Sequence, residues 1–202
     1  MRRFALLLLL LVTACKASTP IPEVKEVDIV FQTSHSSQSV AIQLATGSKY
    51  SHMGLIILRN GKPAVYEAEA TVRYTSLDRW IARGNGHHYV VKRLSDAAQR
   101  LTPEALQRLE SSAQRFAGRP YDLTFEWSDD RMYCSELVWK VYKNALGVEI
   151  GSLQHVRDFN LSNPIVQLKM RERYGDHIPL DEPVISPAAM FQSPLLITVA
   201  EN

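Results

Sequence analysis

Three observations on the 202-residue chain predict an α+β fold. Short runs rich in Val, Ile and aromatic residues read as strands, and longer segments carry apolar residues at helical spacing between recognisable start and stop residues. The two kinds of segment are mixed without regular βαβ alternation. With 46% apolar and 22% charged residues, and no internal repeat or low-complexity stretch, the chain has the make-up of one ordinary globular domain.

Taken in order, residues 27–31 are a short apolar strand. Residues 37–46, closed by Gly47, form a helix with Val40, Ala41 and Leu44 on one face. Strands at 55–58 and 64–68 flank Asn60-Gly61, the strongest short hairpin signal. Residues 76–83, ended by Gly84, are a short helix, and 89–94 another strand. Thr102 as N-cap and Pro103 at the first helical position open a helix carrying Leu106, Leu109, Ala113 and Phe116 and stopped by Gly118. Cys134 opens the next helix, whose apolar stripe is Leu137, Val138, Val141, Ala145 and Leu146 and whose stop is Gly147. Ser162-Asn163-Pro164 announces a helix to Tyr174, followed by a Pro-rich return and a last strand at 195–199.

Charge and cysteine content narrow the function. Lys and Arg number 23 against 21 Asp and Glu, a net charge of +2 with no basic cluster, so no nucleic-acid partner is expected. Two cysteines exclude a disulfide framework and a four-cysteine zinc site. The N-terminus reads as an address: Arg2 and Arg3, an apolar run from Phe4 to Val12 too short to span a bilayer, then small residues. Val12-Thr13-Ala14-Cys15 resembles a bacterial lipobox, in which the cysteine becomes the lipidated first residue of the mature protein. The expected organisation is a signal peptide at 1–14, a polar, Pro-containing tether at 15–22 and a domain at 23–202. The expected location is the periplasmic side of the membrane, lipid-anchored through Cys15, with Lys16 favouring the outer membrane.

If Cys15 is consumed by lipid, Cys134 is left without an intramolecular partner in an oxidising compartment. Packing as a small buried hydrophobe is the plain explanation. Its place in the first helical turn supplies another, because unpaired N–H groups and the helix dipole stabilise a thiolate there. Such a nucleophile needs a base, and the base an orienting group. If Asn60 and Gly61 are the loop, Arg59 faces Lys62, Gly54 faces Glu67 and His52 faces Glu69, all on one side of the hairpin. Spacing places Glu69 directly opposite His52 and Glu67 on the diagonal, with Gly54 leaving room between. A three-residue loop would instead send Glu67 to the other face.

Asp28-Ile29-Val30-Phe31, Tyr50-Ser51-His52-Met53-Gly54, Tyr66-Glu67-Ala68, Gly118-Arg119-Pro120-Tyr121-Asp122 and Tyr133-Cys134-Ser135-Glu136-Leu137-Val138 resemble, in that order, the YiiX/YebB-like branch of the NlpC-type cysteine hydrolases. The resemblance covers nearly the whole mature chain. It implies a circularly permuted papain-like fold, with the histidine strand before the cysteine helix and a mainly antiparallel sheet packed against helices. It places the nucleophile on Cys134, the general base on His52 and the orienting residue on Glu67. One departure is Val27, where the family usually has glycine before the Asp of its first strand.

The implied chemistry is hydrolysis or acyl transfer at an amide or ester carbonyl, with the Cys134 N–H, and Tyr121 as a phenolic donor, facing the oxyanion. No cofactor and no metal are implied: His87 and His88 point to opposite faces of a strand, and His35, His155 and His177 sit in no ligand spacing. The address makes an amide bond of cell-wall peptide the expected substrate. The alternatives are a lipid-directed thioesterase or acyltransferase, which an apolar rim around the groove would favour, and a catalytically silent module that binds cell-wall peptide.

Overall fold

The computed structural model describes residues 23–202. The expected leader, the tether and Cys15 lie outside the described residues. The elements run β1 (Ile29–Gln32), α1 (Ser37–Thr46), β2 (His52–Arg59), β3 (Lys62–Ala68), β4 (Val72–Ser76), α2 (Leu77–Ala82), β5 (Val90–Leu94), α3 (Ala97–Arg100), α4 (Pro103–Gln114), α5 (Cys134–Leu146), β6 (Gln154–His155), α6 (Pro164–Tyr174), β7 (Pro183–Val184), α7 (Pro187–Phe191) and β8 (Leu196–Glu201). Among the described residues, six strands form an antiparallel sheet in the order β4-β3-β2-β1-β5-β8, with β6 and β7 paired apart from it.

Thr102 caps its helix as expected, accepting from the Ala105 N–H, and Ser36, not read from the sequence, does the same for α1 by accepting from the Ser39 N–H, satisfying donors that the first turns leave open. The two-residue loop is the observed one. Asn60 and Gly61 take positive φ (52° and 73°), as a twisted two-residue hairpin requires, and Arg59 lies opposite Lys62 through to Leu55 opposite Tyr66.

α5 is the central helix. It packs with α4 on the sheet face carrying Leu55, Ile57 and Tyr66, and its Leu137, Val138 and Val141 are fully buried. α2 closes the opposite face, setting Leu77 and Trp80 over Val30, Ile56 and Val65. One sheet buried on both faces explains why its inner strands read as near-continuous apolar runs rather than as an alternation.

Several sequence expectations change. β4 and the short α3 and α7 were not anticipated, and 183–191, expected as an irregular return, forms β7 and α7. His87 and His88 are not on a strand. His87 closes a 3₁₀ turn with φ 59°, and the neighbouring strand starts only at Val90.

Val27 does not join β1 either; it adopts φ 59°, a left-handed conformation that is costly for a β-branched residue and free for glycine. The surroundings hold it there. The Val27 N–H donates to the Ile56 carbonyl at 2.8 Å, the Tyr142 hydroxyl donates to the Val27 carbonyl at 2.6 Å, and the side chain is buried in the main core. Burial of a valine contributes ~1.5–3 kcal/mol, enough to offset a left-handed cost of ~1–2 kcal/mol. Next to it, Asp28 is buried and receives two hydrogen bonds from Arg93, at 2.6 and 2.7 Å.

Candidate active site

The site forms where three elements meet. Cys134 is the first residue of α5 and is 3% exposed. At that position its own N–H has no intrahelical acceptor and the helix dipole favours a negative sulfur. Glu136, two residues on, accepts from the Tyr133 N–H at 3.4 Å and helps fix the turn. His52, the first residue of β2 and 9% exposed, lies beside Cys134, close enough for the sulfur to raise the imidazole pKa. Its Nε2 lies 2.6 Å from Glu67 Oε2, which leaves Nδ1 for the sulfur.

Glu67 is 0% exposed and its second oxygen is fully engaged: Thr75 Oγ1 donates to Oε1 at 2.6 Å and Arg83 at 2.5 Å. Four elements therefore set one carboxylate: β3 carries it, β4 and the residue capping α2 hold one oxygen, and β2 presents the imidazole to the other. Gly54 permits the approach. A Cβ there would sit 2.5 Å from Val65 Cγ1, 2.8 Å from the Tyr66 carbonyl oxygen and 3.3 Å from Glu67 Cβ. Trp80 stacks on the imidazole from α2, ring centroids 6.0 Å apart.

Glu69 takes no part in this. β3 ends at Ala68, so the pairing of Glu69 with His52 that spacing allows is never made. Its side chain is 42% exposed and bound to Arg73.

These contacts decide the protonation states. Burial pushes the His52 pKa down, but the hydrogen bonds and charges of Cys134 and Glu67 outweigh it and raise the value from 6.5 to about 9. Burial likewise pushes Glu67 up, and the His52, Thr75 and Arg83 contacts overcome it and hold the carboxyl at about 2. The buried pair is thus imidazolium and carboxylate. His52 contributes stability that is complete below pH 6.5 and is lost as pH rises through about 9. Glu67 contributes above pH 4.5 and loses it as pH falls through about 2. Chemical unfolding should therefore show wild type losing stability between pH 6.5 and 9, with a flatter profile for His52→Gln. Equal alkaline slopes for the two proteins would contradict the assigned charge states.

Tyr121 reaches the site from the loop before α5. Gln38 of α1 donates to its hydroxyl oxygen at 2.9 Å, and the orientation of that amide is fixed because Arg173 donates to Gln38 Oε1 at 2.6 Å. With its oxygen already accepting, the phenol has its proton free to donate. Burial, then the nearby Cys134 charge, hold its pKa well above the ordinary phenol value, so it stays protonated. Tyr121→Phe is expected to lower kcat by ~10²–10³-fold with little change in KM, as loss of an oxyanion donor does. A change confined to KM would make Tyr121 a binding residue only.

Thr75, Trp80, Arg83 and Gln38 were not legible as site residues in the sequence. Arg83 lies 16 positions from Glu67 and Gln38 lies 83 from Tyr121, and only a turn of chain through unanticipated β4 brings Thr75 and Arg83 in.

Residues 23–200 match a family described as permuted papain-like amidase enzyme, YaeF/YiiX, C92 family. The chain is 54% identical over 175 residues to a protein of Escherichia coli K12 named YiiX and described as uncharacterized, covering 87% of this chain and 85% of that one. It is also similar, with a TM-score of 0.85 and 54% identity over 88% of this chain and 97% of the other, to a crystal structure from Escherichia coli O157:H7 described as metalloprotein yiiX. Among the described residues no three or more His, Cys, Asp or Glu side chains form a group that could hold a metal ion. The order of elements, histidine strand before cysteine helix, and the match across nearly all of the described chain place this protein in the permuted papain-like amidase family, the YaeF/YiiX C92 family.

Proposed function

We propose that the chain is a cysteine amidase in which Cys134 is the nucleophile, His52 the general base and acid, and Glu67 the orienting carboxylate. The observation that carries this is a helix-start thiol beside a buried imidazole whose Nε2 lies 2.6 Å from a fully buried carboxylate. The imidazolium state of His52 means that the proton of the thiol already rests on the ring, and the sulfur attacks the amide carbonyl. The oxyanion is met by the Cys134 N–H and the Tyr121 hydroxyl. His52 then protonates the leaving amine, and water releases the acyl group from the thioester by the reverse path.

A screen of purified protein against cell-wall fragments and acyl amides and esters tests the reading. Any substrate turned over should be lost in His52→Ala by ~10²–10⁴-fold, the range for a general base. Retained turnover in that variant would overturn it. A silent binding module has no use for an aligned thiol and imidazole, so an inert Cys134 toward iodoacetamide is the result that would favour it instead.

The second part of the proposal is the anchor. A lipid on Cys15 would hold the domain at the periplasmic membrane surface, with the outer membrane favoured by Lys16. Among the described residues no helix is long and apolar enough to cross a membrane. Cys15→Ser is expected to move the protein from the membrane pellet to the soluble periplasmic fraction, since each acyl CH₂ contributes ~0.8 kcal/mol of membrane affinity. Retention in the pellet after a salt wash would remove the lipid from the account. Cell-wall peptide as the substrate rests on this address.

A further inference from the structure

The cleft on the His52 side of the site carries more hydrogen-bond donors than the fold uses. It holds ≈ 1060 Å³, counting its mouth, and Ser34, Ser36 and Gln38 bring to its wall the stretch of chain that enters α1. At the start of this ten-residue helix the Ser39 N–H is taken by Ser36 Oγ, while the N–H groups of Ser37 and Gln38 have no acceptor within the helix. The first turn has no acidic residue to answer the positive end of the dipole. It also lies against the catalytic groups. Ser39 Oγ is 2.6 Å from the hydroxyl of Ser51, the neighbour of His52, and Gln38 Nε2 donates to the Tyr121 hydroxyl at 2.9 Å.

Gln32 is a sign, independent of the helix, that a polar group is received there. It stands directly opposite His52 in the β1–β2 ladder, lines the same cleft and is 1% exposed, and its Oε1 has no hydrogen-bond partner. That oxygen packs on Gly84, where a Cβ would come 2.3 Å from it, so the NH₂ of the amide is the end turned to the cleft. A buried amide without partners is a cost to the fold that an acceptor on a ligand removes. The charges on the wall favour an anion as well. Arg83 is 36% exposed there, and the carboxylate of Glu69 is already answered by Arg73.

The group that departs in the reaction must be protonated by His52, so the leaving amine occupies this cleft. We infer that the amine released by the amidase proposed above carries a carboxylate beside its nitrogen, as an amino acid does, and that the start of α1 and the Gln32 amide hold that carboxylate. The substrate class is then an N-acyl amino acid or a peptide cut at its C-terminal bond. The carbon–sulfur bond forms as the carbonyl carbon–nitrogen bond breaks, and the leaving nitrogen takes the proton from His52. Water then cleaves the thioester to a carboxylic acid and the free thiol, with no net oxidation. The inference rests on the amidase reading and narrows it: an amide with no free carboxylate beside the scissile bond is a poor substrate.

Two measurements separate the inference from the reading beneath it. The first needs no turnover: equilibrium dialysis of the Cys134→Ala protein with N-acetyl-alanyl-alanine and with its C-terminal amide, which differ only in the charge to be recognised. The free acid should bind at least about tenfold more tightly, the scale of one charge-assisted hydrogen bond. Ser36→Asp and Ser36→Asn both keep a good N-cap on α1, and only the first places a negative charge where the carboxylate would sit. The acid preference should vanish in Ser36→Asp, persist in Ser36→Asn and shrink in Gln32→Leu. The second compares kcat/KM of the Cys134 enzyme on the same pair and on the free-acid and carboxamide forms of each amide it cleaves, where the acid should lead through KM. Equal or undetectable binding of the two ligands, a preference that survives Ser36→Asp, or faster cleavage of the carboxamides would overturn the carboxylate subsite while leaving the amidase standing. Acid preference in binding without cleavage of any amide would instead remove the amidase and with it the leaving-group assignment.

Discussion

Glu67→Gln is expected to lower turnover on the order of 10⁴-fold, the scale seen when an orienting carboxylate is replaced by its amide. The His52 Nε2–H would lose its charged acceptor, and the amide NH₂ must face a donor whichever way it turns, because Thr75 and Arg83 already donate on the other side. Stability should fall as well. Removing one partner of a buried ion pair costs ~3–5 kcal/mol, and the lower end applies here because the Arg83 side chain is part-exposed and lies 3.8 Å from Glu69. A variant read from sequence alone would have been expected to fold normally; the complete burial of Glu67 changes that expectation. Glu69→Gln provides the contrast: its pair with Arg73 is exposed on both sides, so the loss should be ~0.2–1 kcal/mol with turnover unaffected. Turnover lowered equally by the two substitutions would show that Glu67 does not act through His52.

Cys134→Ala should abolish hydrolysis, on the order of 10⁶-fold where a nucleophile is removed from such an assembly. Its thermodynamic effect is smaller but not zero. Cys134 is buried within the main core, among Leu137, Val138 and Tyr133, and deletion of one buried heavy atom costs about 1 kcal/mol. Kinetics and thermal unfolding on the same sample separate the roles. Activity retained with a lowered melting temperature would mean the thiol is a packing residue and nothing more.

Much of this molecule could be read from local pattern, because the relevant forces act over a few residues. Asn60-Gly61 required positive φ at both positions and so set the hairpin register. Gly47, Thr102 and Gly147 bounded helices because a helix end must satisfy its own N–H and C=O groups within one turn. The stripe of Leu137, Val138 and Val141 put Cys134 at the head of a buried helix. From register and helix start came the candidates Cys134, His52 and the two glutamates Glu67 and Glu69, and from the family resemblance the preference for Glu67.

Other features depended on contacts between segments far apart in the chain, which no local pattern encodes. Spacing could not choose between Glu67 and Glu69. The choice came from β4 and Arg83, which bury and charge-compensate one carboxylate while the other is left in solvent. Val27, expected to extend a strand, instead takes a left-handed turn because the Ile56 carbonyl and the Tyr142 hydroxyl hold its backbone from opposite directions. The cavity beside Cys134, absent from the linear pattern, forms because α1 and α6 contribute scattered alanine, isoleucine, valine and methionine side chains to a common wall. Burial is a property of the assembled chain: a glutamate, a valine or a thiol has no fixed exposure until its neighbours across the sheet and between helices are in place, and the charge states that follow from exposure are settled only then.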